Sequence, residues 1–165
     1  MTKTTIPAGI WNIDPSHSTV GFVARHLVIS KVRGSFRSFS GAITIGEQQL
    51  ESSVTASIDM ASVDTSDEGR DGHIKGEDFF DVAKFPTMTF ASTKVTQDGD
   101  DFEVIGDLTI KGVTRSVVLD LEFNGTSKDP WGGTRAGFSA ETEINRKDFG
   151  LEWNVVIETG GVLVG

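Results

Sequence analysis

The segment from Asp101 to Phe123 constrains this chain most. Val104, Gly106, Leu108 and Ile110 alternate with Glu103, Ile105, Asp107 and Thr109. Beyond Gly112 the alternation resumes, with Val117, Leu119, Leu121 and Phe123 opposing Val118, Asp120 and Glu122. A period of two puts successive side chains on opposite faces of a strand, so each run has one dry face and one wet face. The same pattern recurs at Val20, Phe22, Ala24 and His26, at Val54, Ala56, Ile58 and Met60, and at Phe138, Ala140, Thr142 and Ile144. Turn formers separate the runs: Asp98-Gly99, Gly112, Asn124-Gly125 and a longer loop over Asp129–Gly133. Glycine accepts positive φ there at no steric cost. Strands joined by such short turns pair antiparallel.

Helical signals are confined to one place. Thr65, with Glu68 three residues on, reads as a capping box that opens a short helix through about Lys75. Gly69 and Gly72 limit it to one or two turns, and Pro86 starts the next strand. A sheet with one dry face and no helices to cover it must close on itself or stack in two layers. The expectation is an all-β fold, a closed barrel with a short helical insertion over one mouth. A β-sandwich is the alternative.

Composition narrows the function. The chain has 165 residues, which fits one domain over residues 1–165. It has no cysteine, which excludes disulfides, thiolate metal sites and a cysteine nucleophile. Its net charge is −9, so nucleic acid is not an expected partner, nor is an anionic lipid surface in general. The charge is uneven, however. Pro15 to Gly46 contains no Asp or Glu but holds Arg25, Lys31, Arg33 and Arg37. That segment reads either as solvated strand faces or as a local patch for an anionic group. The N-terminus lacks an apolar secretory core, and no apolar run reaches the roughly 18 residues of a membrane span. A cytoplasmic protein without stable membrane insertion is therefore expected, unless an export segment precedes this sequence.

Several ordered segments resemble the YceI-like family. Trp11–Ser18 (WNIDPSHS), followed by Phe22 and His26, is similar to its N-terminal signature. Gly34–Gly41, Val63–His73, Asp78–Asp81, Phe85–Phe90, Gly106–Val113 and Asn145–Gly150 continue the resemblance in order. It implies an elongated, antiparallel, lipocalin-like β-barrel of about eight strands, with its helical insertion at about residues 66–82. It also implies an apolar tunnel for a polyisoprenoid or other long-chain lipid, and barrels that often pair as homodimers. Relatives usually continue past the segment matching Gly160–Gly165 into a final strand, so either a tail is missing from this sequence or one barrel edge is unpaired.

Lipid binding of this kind needs no cofactor, metal or catalytic group. The dry faces supply the candidate lining: Phe22, Ile43, Ile58, Met88, Phe90, Leu108, Ile110, Leu119 and Phe138. Plain barrel packing is the competing reading for each. Phe79 and Phe80 fall outside clean alternation, and at least one should plug or line a mouth. Candidate headgroup residues are His17, His26, Lys31, Arg33, Arg37 and His73. For His17 and Ser18 the competing role is to cap or brace the turn after Asp14-Pro15. Asp71, with Arg70 or His73, can equally pin the short helix. Three histidines and Ser18 raise the question of an enzyme, but they form no close metal pair and no nucleophile elbow. A dimeric interaction module without a ligand is the other alternative.

Overall fold

The computed structural model describes residues 8–26, 30–48, 51–99, 101–128 and 130–151. Its strands are β1 (Gly9–Asn12), β2 (Val20–His26), β3 (Ser30–Phe36), β4 (Phe39–Ile45), β5 (Ser53–Asp59), β6 (Val63–Asp64), β7 (Thr87–Asp98), β8 (Asp101–Ile110), β9 (Val113–Lys128) and β10 (Thr134–Glu141). One helix, α1 (Glu68–Lys75), follows β6. One-turn 3-10 helices occupy Met60–Ser62 and Arg146–Phe149.

The strands form a seven-stranded sheet in the order β1-β4-β5-β7-β8-β9-β10 and a three-stranded sheet in the order β2-β3-β6. The two are continuous. β3 runs into β4 through Arg37 and Ser38, and β5 runs into β6 through the 3-10 turn. Backbone bonds hold both corners: Arg37 N–H donates to the Ser62 carbonyl at 3.1 Å, and Asp59 N–H to the Ser38 carbonyl at 2.9 Å. Counted as continuous runs, the ten described strands reduce to the eight expected. The far ends of the large sheet also meet. Arg135 of β10 bonds Asp14, two residues past β1, and Trp11 of β1 packs on the same core cluster as Phe138 of β10. The result is a nearly closed, barrel-like antiparallel sheet rather than a sandwich.

The alternation explains the faces. In β8, Phe102, Val104, Gly106 and Ile110 are buried and Asp107 is exposed, while in β9 Leu121 is buried and Val118, Asp120 and Glu122 are exposed. The β8–β9 turn is Lys111-Gly112, with φ of 52° and 74° between the paired residues Ile110 and Val113. Two positive φ values in a two-residue loop match the twist of the flanking strands.

Inside lie two apolar clusters. The first centres on Ile45, Phe90, Val95, Phe102, Val104 and Leu121. The second centres on Phe36, Ile58, Met60, Val63, Ile110, Phe149 and Leu151, and α1 and the turns after it cap it through Ile74, Phe80 and Val82. Ala56, Leu108 and Val117 pack against both, so they form a waist.

Four local expectations are corrected. Asn124-Gly125 is not a turn: it lies inside β9, paired to β10 with a register shift at Gly137/Phe138. The pairing continues to Lys128, and a bulge absorbs the irregularity that glycine permits. β10 ends at Glu141, so Thr142 and Ile144 lie outside the strand and are exposed, as is Ala140 within it. Met60 opens a 3-10 turn rather than ending β5, although it is only 1% exposed. The helix N-cap is Asp67, not Thr65, because the Asp67 carboxylate accepts from Arg70 N–H at 3.0 Å while the Thr65 side chain is engaged elsewhere.

Candidate functional site

The apolar axis collects nearly all of the expected lining residues. Ile43, Phe90, Leu119 and Phe138 belong to the first cluster, and Phe22, Ile58, Phe80, Met88 and Ile110 to the second. Leu108 joins both at the waist. The backbone beneath the rings makes room for them. A Cβ on Gly106 would stand 2.5 Å from Phe90 Cζ and 2.6 Å from the Ala91 carbonyl oxygen. A Cβ on Gly34 would stand 2.3 Å from Phe22 Cζ. Aromatic contacts continue the axis upward: the Phe22 and Phe36 rings are 5.6 Å apart, and those of Phe36 and Phe80 6.3 Å.

The four rings between Phe79 and Phe90 therefore separate by role. Phe90 sits in the first cluster, and Phe80 plugs the second from the helix side. Phe79 does not join either cluster. It is half-buried and meets the His73 ring edge-on at 5.0 Å. Phe85 lies over the β8–β9 turn, 2.9 Å from where a Cβ on Gly112 would be. The reason is local. Backbone bonds from Phe80 and Val82 N–H to the carbonyls of Ile74 and Lys75 fold the segment back on α1, so alternate rings point inward and outward.

The first cluster leaves little space beside it, and a wider open cleft of about 420 Å³ lies elsewhere, lined by residues 115–118, 142–145, 148 and 149, including Val117 and Phe149. An open pit of about 20 Å³ lies at the end away from α1, between Ile43, Ile45, Ser52, Val54, Val95, Phe102, Val104, Leu121 and Phe138. That space suits one or two waters, against several hundred Å³ for a typical small-molecule site. Thr65 is the one buried polar residue among those described, and it lies outside both clusters. Among the described residues the walls of the axis are apolar apart from Ser52 at the pit.

The candidate headgroup residues are dispersed. His17 sits at the β1–β10 seam, with Nδ1 2.9 Å from Asp14 Oδ2 and 3.0 Å from Ser16 Oγ. The Ser16 hydroxyl donates to Asp14 Oδ1 at 2.6 Å, and Arg135 bonds the same carboxylate. The Ser16 hydroxyl, then Arg135 and His17, hold the Asp14 carboxyl well below the usual carboxylate range. Ser16 and Asp14 both address Nδ1, so the imidazole does not stand between them as a proton relay would require. This is a brace across the seam, and Ser16 rather than Ser18 completes it. The turn after Asp14-Pro15 was expected from the sequence, though not the part Ser16 plays in it. Arg135 is 121 residues away from Asp14, and no local signal pointed to it.

Arg37 is spent on structure: its Nε donates to Asp64 Oδ2 at 2.7 Å. The Ser66 backbone N–H, then Arg37, lower the Asp64 carboxyl. His73 Nε2 lies 2.9 Å from Asp78 Oδ2 on the outer side of α1. Lys31 and Arg33 are exposed on β3. The side chain of His26 lies outside the described residues. Asp71 and Arg70 do pin the short helix, but through Thr65, which the sequence offers only as a cap. Its hydroxyl donates to Asp71 Oδ1 at 2.5 Å and accepts from Arg70 Nε at 2.8 Å, which pins α1 to β6. Among the described residues no group of three His, Asp or Glu side chains is placed to hold a metal ion, and no helix is long and apolar enough to cross a membrane.

Comparison with known proteins bears on this arrangement. The model of the YceI-like domain matches residues 11–165. The chain is 44% identical over 137 residues to Protein YceI of Escherichia coli, covering 82% of this chain and 72% of that protein. It resembles the crystal structure of the Campylobacter jejuni YCEI protein with a TM-score of 0.68 and 36% identity, over 91% of this chain and 85% of that one. It also shares its fold with a polyisoprenoid-binding domain from Saccharophagus degradans implicated in plant cell wall breakdown, at a TM-score of 0.57 and 18% identity over 88% and 83% of the two chains.

Proposed function

Because the chain belongs to the YceI-like domain family, we propose that its barrel binds a long-chain isoprenoid or similar amphiphilic lipid along the apolar axis, without catalysis. The observation that carries this reading is the dry axis. Apolar side chains run from the pit beside Phe102 and Phe138, through the waist at Ala56, Leu108 and Val117, to Phe80 under the helical cap. The named polyisoprenoid-binding relative supports the choice of ligand class.

A pit of about 20 Å³ does not hold a lipid tail, so uptake requires the two clusters to part. Burying about 20 carbons at ~0.8 kcal/mol per CH₂ would release more than ten kcal/mol gross. That is enough to offset the ordering of ligand and side chains and some separation of packed rings. Met88 and Phe80, at the far, helix-side end of this route, are expected to yield to the incoming tail, since methionine adapts to varied shapes. The pit and the waist are the entry and the passage in this reading.

The test is extraction. The purified protein is denatured and the released organic material is identified by mass spectrometry, and the emptied protein is then offered a polyprenol. The expected outcome is a co-purified or taken-up amphiphile. Ala56→Leu, which fills the waist, should reduce uptake at least several-fold in a folded protein. Repeated absence of any bound lipid, and no uptake by the wild type, would assign the barrel to a ligand-free module.

A further inference from the structure

The β2–β3 hairpin is an electrostatic exception on an acidic protein. The chain carries −9 overall, yet Pro15 to Gly46 holds no carboxylate and all of its charges are positive. The strand pleat sorts the hairpin. Val20 pairs Phe36 and Phe22 pairs Gly34, and these residues face the second cluster. The alternate pairs are Val23 with Arg33 and Arg25 with Lys31. On that outer face Val23 is 52% exposed, and Lys31 and Arg33 are exposed.

Two features are not what folding asks for. Arg25 and Lys31 are register partners, and like-charged residues at directly opposite positions disfavour a strand pairing. Among the described residues no carboxylate lies within ion-pair reach of Lys31 or Arg33, whereas Arg37, at the other end of β3, is paired with Asp64. A cationic surface with an exposed valine between its charges matches an anionic lipid headgroup layer with an apolar region beneath it. Screening confines such a field to about 8 Å, so only this face senses the surface while the acidic remainder stays turned away.

We propose that the outer face of the β2–β3 hairpin docks the protein on an anionic bilayer surface, peripherally and without insertion. The choice of a bilayer as partner rests on the lipid-binding reading, since such a ligand leaves and enters a membrane. A long soluble polyanion would have to run past the acidic remainder of the protein, which disfavours it.

The experiment is flotation with phosphatidylcholine vesicles, with and without phosphatidylglycerol. The wild type should bind the anionic vesicles only, and added salt should release it. Lys31→Gln with Arg33→Gln should weaken binding by roughly 25-fold, at about five-fold per cation. Lys94→Gln with Lys128→Gln makes the same change in net charge at exposed positions elsewhere and should change little. Lys31→Arg with Arg33→Lys keeps the charge and should bind as the wild type does. A wild type that ignores anionic vesicles at low salt, or equal losses in both glutamine pairs, overturns the proposal. So does binding of heparin or an oligonucleotide through these cations without vesicle binding. Polyprenol added from ethanol reports loading separately, so failed docking with intact loading rejects this inference alone. Intact docking without loading rejects the lipid-carrying reading instead.

Discussion

Gly106 and Gly34 both lie beneath aromatic rings, but they differ in what can give way. At Gly34 the obstruction is the far edge of the Phe22 ring, which can swing. At Gly106 a backbone carbonyl, that of Ala91, stands 2.6 Å from the added carbon, and it is held in the β7–β8 ladder. Overpacking costs typically about 1–3 kcal/mol. Gly106→Ala should fall at the upper end of that range and Gly34→Ala at the lower end, as read from urea unfolding midpoints. Equal costs would show that the sheet at Gly106 yields as easily as a ring. Phe149, 1% exposed in the second cluster, should be costlier than either: Phe149→Ala is expected to lose about 3–5 kcal/mol by the same measurement.

At the scale of the element, α1 is a short helix with no buried residue of its own. Eight residues with two glycines would not hold a helix in isolation. Tertiary contacts hold it. Thr65 lies before the helix and bonds both Asp71 and Arg70 on it, and Arg70 Nη2 also donates to the Thr65 carbonyl at 2.8 Å. Thr65→Val keeps the shape and removes the hydroxyl, leaving partly buried partners unsatisfied. It should cost about 1–3 kcal/mol and raise amide exchange through α1 more than in the β8–β9 hairpin. Asp67→Ala removes the N-cap and should cost about 1 kcal/mol. If Thr65→Val leaves exchange in α1 unchanged, the cap is held by Phe80 and Ile74 rather than by this network.

For the whole molecule, the decisive contact is the seam. The described ends of the large sheet, β1 and β10, are joined by side chains at Asp14, Ser16, His17 and Arg135 rather than by a ladder. The Asp14 and Asp64 carboxyls are both lowered in the folded state. A group depressed on folding contributes stability above its unfolded pKa and loses that contribution as pH falls through its folded value. Both therefore stabilise the barrel above about pH 4 and cease to do so in stronger acid. Urea midpoints should fall as pH drops below about 4, and Asp14→Asn should flatten that fall. An unchanged acid limb in Asp14→Asn would place the acid sensitivity elsewhere. Asp14 and Asp64 are partly exposed and Arg37 is exposed, so solvent screening keeps both contributions, and with them the acid fall, small.

The sequence by itself determined that β2, β5, β8, β9 and β10 exist, that they pair antiparallel and, except in β10 beyond Phe138, which of their faces is dry. A period of two in Val104–Ile110 or Val117–Phe123 is a local property, and so is the turn at Lys111-Gly112. It determined the apolar axis for the same reason, since alternation states which side chains share a face. What only the tertiary structure decided were matters of distance along the chain and of competition between neighbours. Arg135 meets Asp14 because barrel closure brings the two ends together, and no spacing rule spans that separation. Asp67 rather than Thr65 caps α1 because Thr65 is buried and claimed by Asp71 and Arg70. Phe79 and Phe80, adjacent and chemically identical, part company because the turn after α1 sends one ring into the core and the other to His73. How full the axis is also lay beyond pattern: alternation names the inward residues, but only packing in three dimensions fixes the space left between them.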